Sequence, residues 1–591
     1  MVKVGVAFGD FISTDKEKRR QRDFDFKNYS VRSFLLPIVL IVVVGVLFLR
    51  LFYLQVLSGD KFRTLSNSNR IRTVIIHAPR GVIFDRNGVP LVFNTPGFRE
   101  NINGKTVQIS EKDALSLIAK GKKDLEVDSL RQYPYKEVVA HVLGYIGQIS
   151  KDQLSQDKYV GYNLGDLIGK FGIEEEYESL LKGTDGKELI EVDAMGNPVR
   201  KLGQTDSIPG QDITLTIDVN LQKAAFEATK NVKKGAVIVS NPKGEVLALV
   251  SRPSFDPNLF TMGANYLTAS DSSYFTLPDI LSDTKNQPLL NRSISGAYPP
   301  GSTFKLIVAA AGLKDKIIDE NWQIEDTGVI NVGAFSFSNW YYTGYGGKDG
   351  EVNVVKGIKR SNDIFFYKLA EKVGVDKVSE AAKEFGLGKT LGIDLNGEVS
   401  GLVPTPEWKQ SNLKEPWYLG DTYHYGIGQG FLLTTPLQVN GWTQAIANDG
   451  NLYLPHLLKN MGSKIISKNL LDQHSSELIK EGMAEACSPS GVAWPLFNFK
   501  VQNPKLKIDG KDILAVDPAS GSADMRQVTL ACKTGTAEHG GPDTLPHAWI
   551  TLFAPEYNPQ VVITVLAEES GEGSNIAAPI AKKILENWFT R

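Results

Sequence analysis

The chain has 591 residues, with 65 Lys and Arg against 67 Asp and Glu, which gives a formal net charge of −2. This near-neutral charge argues against a general nucleic-acid binder, because such binding needs a concentrated positive face. Two cysteines exclude a disulfide-rich scaffold and a four-cysteine zinc module. The seven histidines are scattered and form no HExxH motif, so we expect neither a bound metal ion nor a cofactor.

An apolar stretch near the N-terminus predicts a membrane anchor. It begins with sixteen uncharged residues from Phe34 and continues beyond Arg50 to Leu57. As a helix it is about 36 Å long, enough to cross a hydrocarbon core of about 30 Å. No small-residue cleavage site of the kind that ends a signal peptide follows it. We assign residues 1–32 to a tail and residues 33–57 to a single transmembrane helix.

The basic residues on either side of this stretch indicate its orientation. Seven Lys and Arg lie within residues 14–33, against four within residues 58–76. Because segments rich in Lys and Arg stay in the cytoplasm, the N-terminus is predicted to be cytoplasmic. The sequence therefore predicts a single-pass protein of the cytoplasmic (inner) membrane with a large extracytoplasmic body.

The first part of the body, residues 58–215, predicts a β-rich folding unit. Its turns and apolar runs give these elements in chain order: a β-hairpin with a strand at 82–84 and a turn at 85–88, polar helices over 110–160, a helix at 174–181 and a strand at 188–194.

The second part, residues 216–591, predicts an α+β domain. Its elements in chain order are a helix at 220–229, a hairpin at 235–251, a long helical middle, strands at 529–536, 549–555 and 560–570, and a final helix. Strands from both ends of a region can form one antiparallel sheet with the helices packed on it.

Ser302 and Lys305 form an S-x-x-K pattern in an informative context. Pro300 and Gly301 interrupt the chain before the serine, and an apolar helix follows, so the hydroxyl and the amine lie one turn apart. The amine can accept the serine proton only if burial or a neighbouring cation lowers its pKa. The pattern alone is weak, because it starts at eight serines: Ser13, Ser58, Ser155, Ser179, Ser240, Ser282, Ser302 and Ser411.

A second pattern, CKTGTAE from Cys532, contains the only K-T-G of the chain and falls on a predicted strand. Lys533 and Gly535 then point to one face, and Thr534 and Thr536 to the other. Because Gly535 has no side chain, an extended peptide could lie along this strand and bond to its backbone. An ordinary edge strand with a glycine would have the same pattern.

A third pattern places Ser361 and Asp363 at the start of another predicted helix, where a serine N-cap would be equally ordinary. The order S-x-x-K, S-x-D, K-T-G is shared by penicillin-binding proteins and serine β-lactamases. Over nearly its whole length the chain resembles the penicillin-binding protein family. The segment APRGVIFDRNG from Ala78 resembles the start of the pedestal in class B, the monofunctional transpeptidases, and YGIGQGFLLTTPLQ from Tyr425 resembles another block of their catalytic domain.

Within class B the pedestal is most similar to that of the elongation-specific branch, penicillin-binding protein 2. The similar segments are HVLGYIGQIS from His141, GKFGIEEEYESLLKGTDG and ELIEVDAMGNPV, and S-x-D in place of S-x-N fits the same branch. The resemblance implies a pedestal (dimerisation-type) domain at 58–215 and a transpeptidase domain at 216–591. The stretch between Pro96 and His141 is short, which implies a reduced head at about 97–160.

The resemblance also implies a role for each motif residue. Ser302 would be the nucleophile that attacks the carbonyl between two D-alanines of a peptidoglycan stem peptide, and Lys305 its general base. Ser361 would relay the proton to the leaving amine, and Lys533 would tune Ser361. Asp363 would bind substrate or hold Lys305 in place.

The K-T-G strand would bind the substrate. Thr534, Gly535 and Thr536 would hold the substrate carboxylate, and the backbone N–H groups of Ser302 and Thr536 would form the oxyanion hole. The acyl-enzyme would then pass to an amine of a neighbouring stem peptide and form a crosslink. β-Lactams would inhibit this reaction.

The implied partners are peptidoglycan stem peptides, the cytoplasmic membrane and a polytopic glycosyltransferase of the shape, elongation, division and sporulation family, with no nucleic acid. Two alternatives stay open: a division-specific class B transpeptidase, and a non-catalytic β-lactam sensor or scaffold. A sensor usually needs several membrane spans or a cytoplasmic signalling domain, and residues 1–32 are too few for one. A secreted β-lactamase would lack the 58–215 region.

Four further residues are ambiguous in the sequence. Cys487 and Cys532 could pair in an oxidising compartment, but the sequence does not give the distance between them. His539 and His547 follow the K-T-G strand, and we predict that both are exposed loop residues.

Overall fold

The structure is a computed structural model, and it describes residues 31–590 except for these positions: 103–104, 123–124, 194, 196, 263–265, 503–506, 509–510, 513–514, 517–524 and 542. Nearly all of the predicted tail, residues 1–32, lies outside the described residues, as do its basic residues other than Arg32, which belongs to α1. The chain separates into two compact units. One contains Met1–Ile75 with Lys187–Thr205, and the other Ile76–Gly186 with Asp206–Arg591.

The N-terminal part of the chain, up to residue 218, has one long helix and many short elements. Its helices are α1 (Val31–Phe52), α2 (Gly59–Arg70), α3 (Glu111–Ala119), α4 (Ala140–Leu143), α5 (Lys151–Leu154), α6 (Gly172–Glu176) and α7 (Glu178–Leu181). Its strands are β1 (Ile71–Ile76), β2 (Ile83–Phe84), β3 (Pro90–Ile102), β4 (Lys105–Ser110), β5 (Leu125–Gln132), β6 (Ile146–Gln148), β7 (Leu167–Gly169), β8 (Gly186–Val192), β9 (Pro198–Thr205) and β10 (Ile213–Thr214).

The first unit contains the apolar helix and a small sheet. A π-helical turn, Tyr53–Leu57, continues α1. Leu35–Leu57 is long and apolar enough to cross a membrane, and it is the one such helix among the described residues. Its large apolar side chains are exposed, as expected of a helix that lipid would cover. The sheet has the strand order β1-β8-β9.

A β-sheet organises the pedestal part of the second unit. The strand order is β10-β2-β3-β4, with β5 also paired to β3. Ile83 in β2 lies opposite Val92 in β3 in antiparallel register, which confirms the predicted hairpin. The predicted helix at 174–181 is divided between α6 and α7.

The prediction of polar helices over 110–160 is wrong in part. Among the described residues of this stretch, only α3, α4 and α5 are α-helical, whereas β5 is a strand antiparallel to β3. Two of its charged residues are buried ion-pair partners: Asp128 accepts a hydrogen bond from Arg99 at 2.5 Å, and Arg131 donates one to Glu174 at 2.7 Å. In sequence, buried charges of this kind look like the solvent-exposed face of a helix.

The C-terminal part begins at residue 219 and holds most of the helices. They are α8 (Val219–Ala228), α9 (Leu277–Ser282), α10 (Lys305–Lys314), α11 (Trp340–Tyr345), α12 (Val354–Arg360), α13 (Asp363–Val373), α14 (Val375–Glu384), α15 (Pro406–Leu413), α16 (Leu419–Gly426), α17 (Pro436–Ala447), α18 (Gln473–Ala486) and α19 (Ala577–Thr590). The strands are β11 (Gly235–Ser240), β12 (Val246–Arg252), β13 (Ile324–Asp326), β14 (Val329–Val332), β15 (Phe335–Ser338), β16 (Gly350–Val352), β17 (Leu452–Tyr453), β18 (Ile465–Ser467), β19 (Lys500–Gln502), β20 (Lys507–Ile508), β21 (Lys511–Asp512), β22 (Ala515–Val516), β23 (Met525–Gln527), β24 (Ala531–Ala537), β25 (His547–Ala554) and β26 (Val561–Ala567).

One five-stranded antiparallel sheet organises this part, in the order β12-β11-β26-β25-β24. Alternate side chains of a strand point to opposite faces, and here both faces are covered. Val237 and Val239 pack in the core that contains residues of α8 and α19, whereas Ile238 packs with Trp442 of α17. The predicted hairpin, late strands, final helix and α+β class are confirmed.

Polar contacts join the pedestal part to the sheet-containing part within the second unit. Asn258 donates to the carbonyl of Tyr133 and accepts from its N–H, at 2.8 and 2.9 Å. Asp394 accepts from the Tyr177 hydroxyl at 2.7 Å and from the N–H groups of Leu457 and Leu458. These side chains pair backbone groups that would otherwise be buried without partners.

Candidate active site

Ser302 lies where a tight turn enters a buried helix. Residues Gly301–Phe304 form a 3₁₀ turn that leads directly into α10. Gly301 has φ +54°, a left-handed conformation that glycine adopts without a steric penalty. Its N–H donates to the carbonyl of Gly428 at 2.9 Å. The predicted break, serine and helix are therefore all present.

Lys305 begins α10 and is 0% exposed. Its Nζ donates to the Asp363 Oδ1 at 2.6 Å and to the Ser361 carbonyl at 2.8 Å, and it lies 3.4 Å from the Ser361 Oγ. Burial lowers the pKa of Lys305, while the nearby Asp363 carboxylate opposes that change. A lowered pKa is the condition stated above for a lysine that can accept the serine proton, and burial provides it here.

The S-x-D segment is a sharp junction between two helices. Ser361 follows α12 as its C-cap and has φ +52°, an uncommon conformation for a residue other than glycine. Asn362, not Ser361, is the N-cap of α13, and it accepts from the N–H of Phe365 at 2.8 Å. The N-cap alternative for Ser361 is therefore wrong, and the junction turns its hydroxyl towards two lysines.

Lys533 is the second of these lysines. Its Nζ donates to the Ser361 Oγ at 2.8 Å and to the Thr534 carbonyl at 3.0 Å. Burial lowers the pKa of Lys533 strongly, and the positive charge of Lys305 lowers it further, against the opposing effect of Asp363. The structure thus brings residues of all three motifs together around the Ser361 hydroxyl.

The K-T-G strand, β24, forms one edge of the five-stranded sheet. Among the described residues it pairs only with β25, so its other edge has no strand partner. An added strand, such as an extended peptide, can pair with an edge of this kind. A Cβ added to Gly535 would lie 3.0 Å from the Pro300 carbonyl oxygen and 3.1 Å from Thr303. The glycine therefore allows the strand to approach the Ser302 turn, a reason that the sequence did not reveal.

The two threonines of the strand differ in exposure. Thr534 is 7% exposed, whereas Thr536 is exposed and its Oγ1 accepts from the N–H of Gly573 at 3.4 Å. A Cβ added to Gly301 would lie 2.9 Å from the Thr536 carbonyl oxygen. The backbones of the serine turn and the strand end are therefore adjacent, as an oxyanion hole from Ser302 and Thr536 requires.

Several residues that build the site were not predicted from the sequence. Trp340 donates its backbone N–H to Asp363 Oδ2 at 2.9 Å, and Asn339 accepts from the Asp363 N–H at 3.2 Å. Gln429 can pair its side-chain amide with both backbone groups of Glu538, at 3.0 and 3.3 Å. Only the last had a sequence signal, because Gln429 lies in the YGIGQG segment.

The structure shows how the two cysteines and the two histidines that were ambiguous in the sequence are arranged. Cys487 and Cys532 form a disulfide with a Cα–Cα distance of 5.9 Å, which links the end of α18 to β24. His547 is 6% exposed and stacks on His539 with a ring separation of 4.0 Å. Burial, followed by His539, lowers the pKa of His547 to about 4. The prediction that His547 is an exposed loop residue is wrong, because it begins β25.

Comparison with known proteins now gives the family. A family model described as the penicillin binding protein transpeptidase domain matches residues 235–586, and one described as the penicillin-binding protein dimerisation domain matches residues 123–215. The peptidoglycan D,D-transpeptidase MrdA of Acinetobacter baumannii is 34% identical, over 95% of this chain and 88% of its own length. This chain belongs to the class B penicillin-binding proteins.

Two solved structures extend the comparison. The complex of penicillin-binding protein 2 with MreC from Helicobacter pylori matches with a TM-score of 0.71 and 28% identity, over 88% of this chain and 99% of that one. A structure that describes polymerization and crosslinking by a peptidoglycan synthase complex matches with a TM-score of 0.68 and 27% identity, over 95% of this chain and 99% of that one. The fold is that of penicillin-binding protein 2.

The activity follows from these relatives. This class B penicillin-binding protein is a peptidoglycan D,D-transpeptidase of the elongation type. The division-specific and non-catalytic alternatives are not favoured. Its N-terminal apolar helix fits a membrane anchor.

Proposed function

We propose that Ser302 is the nucleophile and Lys305 its general base. The Ser302 hydroxyl attacks the carbonyl between the two D-alanines of a stem peptide, and its proton passes to the Lys305 amine. Support comes from the burial of Lys305, which favours the neutral amine that can take this proton. The same attack on a β-lactam carbonyl would give a stable penicilloyl adduct.

Ser361 and Lys533 complete the proton path in this proposal. The leaving D-alanine needs a proton on its nitrogen, and the Ser361 hydroxyl can donate one and regain it from the adjacent lysines. The single observation that carries the proposal is that Lys305 and Lys533, both buried, converge on one hydroxyl at 3.4 and 2.8 Å. We assign Asp363 the role of holding Lys305, on account of their 2.6 Å contact.

We further propose that β24 binds the substrate backbone as an added strand. The N–H groups of Ser302 and Thr536 would stabilise the oxyanion, and Thr534, Gly535 and Thr536 would form the carboxylate site. Of the two hydroxyls, the exposed Thr536 is better placed for direct contact. The acyl group then transfers to an amine of a neighbouring stem peptide, which loses a proton as the amide forms.

Fluorescent penicillin labelling of the full-length protein in detergent tests the nucleophile. We expect one adduct, on the peptide that contains Ser302, and none in a Ser302→Ala variant. Ser411→Ala is the matched control, because Ser411 starts another S-x-x-K pattern on an exposed helix face, and it should label normally. An adduct mapped to Ser361, or unchanged labelling of Ser302→Ala, would contradict the assignment.

The membrane topology is also a proposal. We assign residues 1–32 to the cytoplasm, 33–57 to the membrane, and the pedestal (58–215) and transpeptidase (216–591) domains to the outside. Support comes from the Cys487–Cys532 disulfide, since such bonds persist in oxidising compartments. Protease added to spheroplasts should remove the transpeptidase domain. If the domain were digested only after the cells are lysed, the opposite orientation would be indicated.

We propose a polytopic glycosyltransferase of the shape, elongation, division and sporulation family as the partner. Support comes from the likeness to a chain of a peptidoglycan synthase complex and from the position of Arg50 within the apolar helix. A neighbouring multi-span protein can solvate such a cation better than lipid. Depletion in cells should give rounded cells, and filaments with blocked septa would contradict the elongation role. Co-purification with the polymerase tests the contact itself.

A further inference from the structure

A buried carboxylate that contacts no reacting group lies behind the S-x-D segment. Asp326, at the end of β13, is 1% exposed. Its Oδ2 accepts from the side-chain amides of Asn339 and Asn362 and from the N–H of Asp349, each at 2.9 Å. Its Oδ1 accepts from the N–H of Gly328 at 2.8 Å. One side chain therefore joins several separate segments of the chain.

Both amide partners of Asp326, Asn339 and Asn362, are connected directly to residues of the S-x-D motif. Asn362 separates Ser361 from Asp363 in the chain, and its Nδ2 also donates to Asp349 Oδ2 at 3.0 Å. The Oδ1 of Asn339 accepts from the N–H of Asp363 at 3.2 Å. Asn339 and Asn362 are themselves fully buried, so these bonds cannot be replaced by bonds to bulk water.

The conformation of Ser361 requires such support. A serine with φ +52° is in a sparsely populated region, and it stays there only when its surroundings fix it. The residue that follows it, Asn362, makes side-chain bonds to Asp326, Asp349 and the start of α13. These bonds fix the peptide that presents the Ser361 hydroxyl.

We infer that Asp326 is a positioning residue of the transpeptidase. Through its two amide partners it fixes the Ser361 hydroxyl and the Asp363 carboxylate relative to Lys305. The inference rests on the proposed roles of these three residues. Asp326 touches none of the reacting atoms, so an effect of its substitution on the reaction is indirect and passes through its hydrogen-bond partners, chiefly Asn339, Asn362 and Asp349.

The environment of Lys305 provides a readout that a general loss of stability would not change. The charged groups that face its amine are Asp363 and Lys533, and Ser361 and the Phe366 ring complete its surroundings. The Asp363 carboxylate opposes the lowering of the Lys305 pKa by burial. If Asp363 moves away, the pKa of Lys305 falls further, and the pH at which acylation reaches half its maximum falls with it.

The test is the rate of acylation by a fluorescent penicillin as a function of pH, with full-length protein in detergent. Asp326→Asn removes the negative charge and replaces one of the two acceptor oxygens with an NH2 donor. That donor must then face either the three N–H groups on Oδ2 or the N–H of Gly328 on Oδ1. We expect the maximal rate to fall between about tenfold and about a hundredfold, the equivalent of one misplaced hydrogen bond to a charged group. We also expect the midpoint of the pH profile to move to lower pH.

Asp256→Asn is the matched control. Asp256 is another fully buried aspartate, which accepts from Asn258 and Tyr266 and touches no motif residue. It should lower the thermal midpoint of unfolding similarly, with the rate and the pH midpoint unchanged. An Asp326→Asn variant whose folded fraction reacts at the wild-type rate and pH midpoint would overturn the inference.

Asn339→Ala keeps the test decisive if Asp326→Asn does not fold, because it removes one branch of the network without changing a charge. It should lower the rate and the pH midpoint in the same direction, and normal behaviour would overturn the inference. The Ser302→Ala result is separate: continued acylation of that variant would reject the proposed function itself. Loss of acylation in Ser302→Ala with wild-type kinetics in Asn339→Ala would reject only the positioning role.

Discussion

Two buried clusters of charge, one in the active site and one in the pedestal, are built from different cations. The active-site cluster has two lysines, Lys305 and Lys533, near a single carboxylate, Asp363. The pedestal cluster has two arginines and two glutamates. Arg80 donates to Glu174 at 2.9 Å and to Glu178 at 2.8 Å, and Arg131 donates to Glu174 at 2.7 Å.

Burial favours the neutral form of the cation in both clusters, but the net pKa shifts of the cations are opposite. In the pedestal, burial would lower the pKa of Arg80, but the two glutamates outweigh burial and the pKa rises. In the active site burial lowers the pKa of both lysines, the charge of Lys305 lowers that of Lys533 further, and the single carboxylate of Asp363 does not outweigh these effects. Arginine holds its proton and binds carboxylates with a rigid fork, whereas lysine can release its proton. Similar burial is therefore combined with a permanent ionic junction in one place and with the proposed proton acceptor in the other.

The largest effect should come from removing the proton acceptor. Lys305→Ala should lower the rate of penicillin acylation by about 10²–10⁴-fold, the usual contribution of a general base. Lys314→Ala is the control, because Lys314 ends the same helix at the surface and pairs with Glu384. Stopped-flow labelling measures both variants. If Lys305→Ala reacted at nearly the wild-type rate, the active-site cluster would not differ from the pedestal cluster by containing a proton acceptor.

Placing an arginine in the lysine position sharpens the comparison through pH. The wild-type rate should rise with pH as Lys305 loses its proton, and level off below the usual lysine pKa, because burial lowers the pKa in the folded state. Lys305→Arg retains the charge but cannot release its proton. Its rate should stay low up to pH 10, and recovery at high pH would show that proton acceptance is not the function of this position.

Breaking the pedestal cluster should affect stability and leave chemistry intact. Glu174→Gln leaves two buried guanidinium groups short of one carboxylate, which costs about 3–5 kcal/mol. Hydrogen–deuterium exchange of the full-length protein should show faster exchange in peptides from β5 and α6. Glu176→Gln, an exposed neighbour on α6, is the control. A large loss of acylation rate in folded Glu174→Gln protein would mean that the pedestal cluster also acts in catalysis.

The converse exchange should have the smallest effect. Arg80→Lys retains the charge but loses the fork that reaches both glutamates, at a cost of about 1–2 kcal/mol. The same exchange measurement should show a smaller change than Glu174→Gln. Arg86→Lys is the control, because Arg86 makes a partly buried pairing with Glu245 that a lysine can keep. An effect of Arg80→Lys as large as that of Glu174→Gln would mean that fork geometry outweighs charge balance in this cluster.

The sequence predicted those parts of the fold and site that depend on local patterns. The hairpin of β11 and β12, the strands β24 to β26, and the helix after Ser302 all follow from periodicity and turn residues. The family motifs predicted that Ser361 and Lys533 belong to one site, although 172 positions separate them in the sequence. Local patterns and motif order were sufficient for these elements.

The parts that were missed depend on partners distant in the sequence. Charged residues of β5 suggested a helix, because only the fold shows that Asp128 and Arg131 are buried against Arg99 and Glu174. Asp326 and Asn339 belong to no motif, and their value comes from neighbours 36 and 24 positions away. Single-sequence patterns contain no information about such pairings.

The disulfide between Cys487 and Cys532 has a consequence for when the enzyme becomes mature. It closes a segment with a sequence separation of 45 and fixes β24 next to Lys533, which by chain-entropy reasoning stabilises the fold by about 4 kcal/mol. With the orientation proposed above, a newly made chain in the reducing cytoplasm would lack this link and would gain it only after export. Formation of the disulfide would then depend on the compartment. The active-site strand β24 would be stabilised by this bond only outside the cytoplasm, where the cell wall is built.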